Sequence, residues 1–222
     1  MSLPKIQSYE VKNSRTDQKV PVVNGVHLHS IYNPFKEAQA LVEKYADQLT
    51  HKNEVLILGL GFAYHVNEII NYMTRVHGDN FRIVIVEPNA QIYHDCLNLD
   101  LLNKKNVLVY SGFLPQELYS DIDLIHFLLR KPAVIAHPPS FNLYQDYFKE
   151  VLTFEAPKKI EAIQEYLTSN EVKRYLAELE AHETFDNFLY NDLPGRTEMK
   201  GFDFLCMALS EMTKNAKEVK EA

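Results

Sequence analysis

Hydrophobic and polar positions along this chain fall into two kinds of block. Four short, mostly apolar runs, residues 55–58, 82–86, 106–110 and 132–136, are bounded by polar residues or turn formers. Runs of that length and composition are how strands buried on both faces of a parallel sheet read. Between them the apolar residues recur at helical spacing. Val66, Ile69, Ile70, Met73 and Val76 follow the first run, a helix over 90–101 follows the second, and 114–131, in one or two pieces, follows the third. This alternation of strand and helix predicts an α/β domain with a mainly parallel sheet and helices on both faces.

Before that core, residues 8–12 alternate, 13–19 are polar, and 20–23 and 26–31 read as extended segments joined by Asn24-Gly25, a hairpin turn signal. Asn33 as N-cap and Pro34 at the first helical position then open a helix with an apolar face of Ala38, Leu41, Val42, Tyr45 and Leu49. Beyond residue 141 the pattern contains no clear strand. Residues 144–154 are amphipathic, 158–179 have helical spacing, Leu193-Pro194-Gly195 is a break, and a last helix is expected over 203–217. The expected division is an N-terminal β extension and lead-in helix over 1–52, a core over 53–140, and a helical tail over 141–222. The tail would pack on the core or on a partner, a second copy of the chain giving a homodimer, or stand where a longer relative continues.

Charge narrows the choice of partner. The 222 residues carry a formal charge of −7, and the acid is uneven: residues 1–140 hold 13 basic against 14 acidic side chains, residues 141–222 hold 10 against 16. Such a balance argues against binding nucleic acid by electrostatics. The two cysteines, Cys96 and Cys206, sit far apart among apolar residues, as buried thiols of a reducing compartment do. With no apolar leader or run of membrane length, the expectation is a cytoplasmic protein away from any membrane.

The candidate chemistry gathers where strands end. The first core strand runs directly into Gly59-Leu60-Gly61 and then a helix. Glycines let a backbone turn sharply and lie against a ligand, and a helix N-terminus attracts an anion. Tyr64 stands where a dinucleotide fingerprint has its third glycine, whereas methyltransferases use a looser turn. Glu87 ends the second strand, 26 positions after Gly61, where a carboxylate holds a ribose. The alternative is a glycine turn that only packs a helix on a sheet. Ser111 and His137 end the third and fourth strands, and strand ends of a parallel sheet share one rim. Gly59, Gly61, Tyr64, Glu87 and Ser111 are thus the expected cofactor contacts. His137 is the catalytic candidate, because histidine exchanges a proton near neutral pH; a histidine before Pro-Pro also serves backbone groups. His65 has a phosphate contact or plain packing open to it, and Glu37 either favours its helix dipole or binds substrate. No Ser-His-Asp order, no metal-ligand spacing and no phosphate loop with its lysine is found, so no metal is expected.

Residues 26–34 (VHLHSIYNP) with Glu37-Ala38, followed by 59–65 (GLGFAYH), resemble one family. It is the domain shared by bacterial motility accessory factors and archaeal-type 6-hydroxymethylpterin diphosphokinases, whose pattern is roughly Leu-His-Ser-x-Tyr-Asp-Pro-x-x-Glu-Ala and then Gly-Leu-Gly-x-Gly-Tyr-His. The resemblance covers about residues 8–140, with Asn33 in place of the usual Asp and Ala63 in place of a loop glycine. It implies a Rossmann-like, methyltransferase-like fold and group transfer from a nucleotide-type donor: a nonulosonic acid onto flagellin in one branch, pyrophosphate from ATP in the other. His29, Ser30 and Tyr32 are then expected on the substrate side. ATP, a nucleotide sugar or S-adenosylmethionine is the expected small-molecule partner, S-adenosylmethionine standing for methyl transfer as the alternative activity. A non-catalytic interaction module is the rival of a different class.

Overall fold

The computed structural model describes residues 3–164, 167, 169–179 and 184–208. They fall into two units, Met1–Phe154 and Glu155–Ala222. The expected β extension and core therefore belong to one unit, which continues past residue 140.

The first unit opens with a three-stranded antiparallel sheet of β1 (Tyr9–Asn13), β2 (Lys19–Val23) and β3 (Val26–His27). Asn24 and Gly25, both at positive φ, turn β2 into β3 as the Asn-Gly pair predicts. The extended segment expected to reach residue 31 stops at His27. After Leu28 the chain bends, because Ser30 Oγ accepts from the N–H groups of Tyr32 and Asn33. That bend delivers Asn33 as the cap of α1 (Pro34–His51), where its side chain accepts from Phe35 N and Lys36 N.

The core follows the expected alternation: β4 (Glu54–Leu58), α2 (Tyr64–His77), β5 (Arg82–Glu87), α3 (Ala90–Asn98) and β6 (Val107–Ser111). Then come α4 (Pro115–Leu118), α5 (Ile122–Leu129), β7 (Ala133–Ala136), α6 (Pro138–Leu143) and α7 (Gln145–Leu152). The four strands pair in parallel in the order β6-β5-β4-β7, a Rossmann-like sheet flanked by helices. Val55 and Ile57 of β4 and Ile83 and Ile85 of β5 are fully buried, as central strands covered on both faces must be. Each such side chain contributes about 1.5–3 kcal/mol. The outer strands leave Leu108 and Val134 about 40 % exposed, at 40% and 42%.

Strand order also locates the crevice. From β4 the chain steps outward to β5 and β6, then returns to the other side of β4 as β7. The direction of winding switches between β4 and β7, and ligands of open α/β sheets sit beyond the carboxyl ends at such a switch.

The second unit has its own buried centre, including Ile160, Leu176, Phe188 and Leu193. The helix expected over 158–179 is interrupted. It forms α8 (Ile160–Gln164) and α9 (Asn170–Ala177), the latter started by Ser169, whose Oγ accepts from Val172 N. Residues 201–208 are helical; the remainder of the helix expected to 217 lies outside the described residues. Among the described residues no helix is long and apolar enough to cross a membrane.

Candidate functional site

At the β4–β7 crevice the chain places three histidines from three separate segments. His29 lies after β3, His65 in the first turn of α2, and His137 directly after β7, where its N–H bonds Leu58 O. All three are buried. The rings of His65 and His137 stack, with centroids 4.1 Å apart and planes 5° apart, and His29 lies 4.7 Å from His137. They border a pocket of about 310 Å³ that Glu37, Lys44 and Pro138 also line.

Hydrogen bonds define each ring. Phe62 donates its main-chain N–H to His29 Nε2 at 2.8 Å, so that nitrogen holds a lone pair and the proton is on Nδ1. Nδ1–H in turn reaches Glu37 Oε2 at 3.3 Å. The contact is between a neutral imidazole and a carboxylate, since His29 accepts through its other nitrogen. Ser30 N donates to the same Glu37 oxygen at 2.9 Å. His65 Nε2 donates to Gly59 O at 3.0 Å, which leaves Nδ1 as a bare acceptor. His137 Nδ1 pairs with Ser140 Oγ at 2.8 Å. Two nitrogens, His65 Nδ1 and His137 Nε2, are buried with no hydrogen-bond partner.

Burial is the main influence on all three rings and lowers their pKa values. The neighbouring histidines lower His65 and His137 further, His65 to about 3, while Glu37 partly offsets the effect at His29. The cluster is therefore neutral at physiological pH. Burial pushes Glu37 upward, but the bonds from His29 and Ser30 N outweigh it and hold the carboxyl below its ordinary range.

The glycine turn has the expected shape and an unexpected occupant. Gly59 and Gly61 take positive φ of 98° and 49°. A Cβ on Gly59 would lie 2.4 Å from Ser140 Cβ, and one on Gly61 2.4 Å from His29 Nε2. The space the glycines open is filled by the protein's own side chains, so a bulky residue there collides with Ser140 or His29 before any ligand. Glu87 corrects the expectation of an exposed strand-tip carboxylate facing a ribose. It is fully buried. Its Oε2 accepts from Leu60 N at 2.8 Å and its Oε1 from Asn89 N at 3.0 Å, and Gly61 N also bonds the carboxylate. The reason is local: the turn leaves main-chain donors in the interior, and a buried donor must find an acceptor.

The other anticipated residues divide. Tyr64 is buried and donates its hydroxyl to Lys19 O at 2.8 Å, tying α2 to β2. Ser30 shapes the bend before α1. Tyr32 is 56% exposed and stacks under the Arg15 guanidinium, away from the pocket lining. Ser111 pairs with Glu87 across β6 and β5, which places it two strands from β4, roughly 10 Å at about 4.8 Å per strand. The crevice thus gathers His137, His29, Gly59 and Gly61, with His65 and Glu37 beside them, but not Ser111 or Tyr32. Glu37 and Ser140 had bland sequence settings, a helix first turn and a residue after Pro-Pro. Glu37 was signalled by its place in the Glu-Ala of the resembling stretch, whereas nothing in the sequence signalled Ser140. No metal-ligand spacing exists in the sequence, yet His29, His65 and His137 each offer a ring nitrogen within 4.8 Å of the others.

No protein-family model matches this chain, and no curated protein matches it. Among solved structures it is similar to MnmC2 from Aquifex aeolicus, at 14% sequence identity and a TM-score of 0.37, over 55% of this chain and 48% of that one. The chain thus spans about half the length of that structure. Its own strand order and register carry the assignment of a Rossmann-like fold.

Proposed function

We propose that this chain is a group-transfer domain that binds a nucleotide-type donor, with the histidine pocket at the β4–β7 crevice as its reacting end. His137 is the residue that takes up or returns a proton there. One observation carries the reading: the two stretches resembling motility accessory factors and pterin diphosphokinases, distant in sequence, meet in a single cluster. His29, Ser30 and Glu37 of the first stretch are joined by hydrogen bonds, the Phe62 N–H of the second bonds His29, and Gly61 and the His65 ring pack against His29. His137 is oriented through Nδ1 by Ser140 and leaves Nε2 without a partner, the geometry of a group that can accept a proton.

A thermal-shift panel of ATP, GTP, a CMP-sugar, S-adenosylmethionine and NAD tests this reading. A ligand present at 100 times its Kd adds about 2.7 kcal/mol of stability. A shift with ATP or the nucleotide sugar supports transfer of pyrophosphate or sugar, and one with S-adenosylmethionine alone supports methyl transfer instead. Absence of any shift favours the second reading, a non-catalytic interaction module. That reading also has a specific observation behind it: Glu87 already occupies the N–H groups of Leu60 and Gly61 that a phosphate would use.

A further inference from the structure

The pocket offers acceptors and few donors. His65 Nδ1 is a bare lone pair, because its Nε2–H is committed to Gly59 O, and His137 Nε2 has no partner. Buried nitrogens left this way are rare in folded proteins and call for an occupant. Neutral imidazole nitrogens repel an anion, so the occupant is a cation or a hydrogen-bond donor. Three further features favour a metal. Each ring is already fixed from behind: His65 by a backbone carbonyl, His137 by a serine hydroxyl, His29 by the Glu37 carboxylate. Such outer partners are the usual companions of metal-ligating histidines. The donor set is imidazole, which suits zinc, copper, nickel or iron rather than magnesium or calcium. The pocket of about 310 Å³ beside the rings leaves room for a further ligand on an open coordination position.

We propose that His65 Nδ1, His137 Nε2 and His29 Nε2 bind one divalent transition-metal ion of the zinc class, with the remaining position facing the pocket. His29 joins by exchanging the Phe62 N–H for the ion, and Glu37, on its Nδ1–H, becomes the carboxylate that orients it. Each of the three rings offers a nitrogen within 4.8 Å of the others, and binding would bring the ligating nitrogens to about 3.3 Å, the edge of a tetrahedron with bonds of about 2.0–2.1 Å. The stacked rings of His65 and His137 tilt apart to aim their lone pairs at one point. This assignment concerns the same pocket as the proposed group transfer but needs no nucleotide there, and with the ion bound His137 Nε2 is a ligand and not a proton acceptor.

Cobalt titration of the full chain, stripped with chelator and in the absence of any nucleotide, tests it. The expected result is a visible d–d absorption band saturating at one equivalent and abolished by zinc. His65→Ala and His137→Ala should each weaken cobalt binding at least about 100-fold, while His94→Ala, at an exposed site on α3, leaves it unchanged. Because either alanine variant can disturb a buried cluster, histidine ring ¹⁵N shifts of the wild-type chain give a second readout. Zinc should move His65 Nδ1 and His137 Nε2. No saturable band, a band retained in both variants, or ring shifts confined to other histidines would overturn the assignment. A nucleotide panel run in chelator fails or succeeds separately, so the two readings are told apart.

Discussion

Glu87, at the end of β5, accepts the main-chain N–H of Leu60 at 2.8 Å, inside the turn that follows β4. Two adjacent strands are locked together at their carboxyl ends by a side chain rather than by a ligand. With Gly61 N and Asn89 N on the same carboxylate, three buried donors depend on one residue. Glu87→Ala is therefore expected to cost about 2–4 kcal/mol of folding stability, since each donor left unpaired costs about 1–3 kcal/mol and water entering the vacated space recovers part of it. Urea unfolding of wild type and variant measures the difference.

The same group makes stability depend on pH. Burial raises Glu87 to about 7 against the pull of its three N–H partners. A carboxyl whose folded pKa lies above its unfolded value contributes stability that is fully present below the unfolded value and lost as pH rises through the folded one. Wild-type stability should accordingly fall between about pH 4.5 and 7 and level off above. Glu87→Gln, having no proton to lose, should flatten that portion of the curve in denaturant midpoints measured across the range.

Gly61 and Ala63, both at positive φ in the same turn, should respond very differently to substitution. Gly61→Ala puts a Cβ 2.4 Å from His29 Nε2 and 3.2 Å from His137 Cε1 at a φ of +49°. Overpacking and left-handed strain together predict a loss of about 3 kcal/mol. Ala63 already bears that strain, at φ 62° as the residue before α2. Ala63→Gly relieves about 1–2 kcal/mol, but it gives back about 0.4–1 kcal/mol in unfolded-chain entropy and about 0.8 kcal/mol for the buried methyl, for a net change near zero. Melting temperatures should show a clear drop for Gly61→Ala and almost none for Ala63→Gly.

At the start of α1, Asn33 accepts from Phe35 N and Lys36 N. Asn33→Ala should lose about 1 kcal/mol. Asn33→Asp keeps the bonds and adds charge at the positive end of the helix dipole, for a gain of about 0.3–1 kcal/mol that shrinks in high salt. Thermal melts at low and high ionic strength distinguish the dipole contribution from the cap itself.

The parts of this fold that were legible in the sequence are those set by local physics. The apolar runs at 55–58 and 82–86 became the two central strands because only burial on both faces suits them. Asn24-Gly25 and Asn33-Pro34 marked their turn and cap through backbone preference alone. The site was less legible because it depends on direction. A carboxylate at a strand end reads the same whether it faces a ribose or bends inward, and Glu87 bends inward to satisfy the Gly59–Gly61 turn. His29, His65 and His137 are separated by whole secondary-structure elements, and only the return of β7 beside β4 brings them within reach of one another. The helix expected over 158–179 overlooked Ser169, whose hydroxyl caps a new start.

Glu87 also changes what an incoming phosphate would face at the glycine turn. The carboxylate acts as a tethered competitor, bonded through its own chain at an effective concentration on the order of millimolar or above. A phosphate could occupy those N–H groups only by evicting it into an apolar interior. The turn is thereby closed to a phosphorylated ligand by the chain's own carboxylate, and the cation that lines the histidine pocket is Lys44.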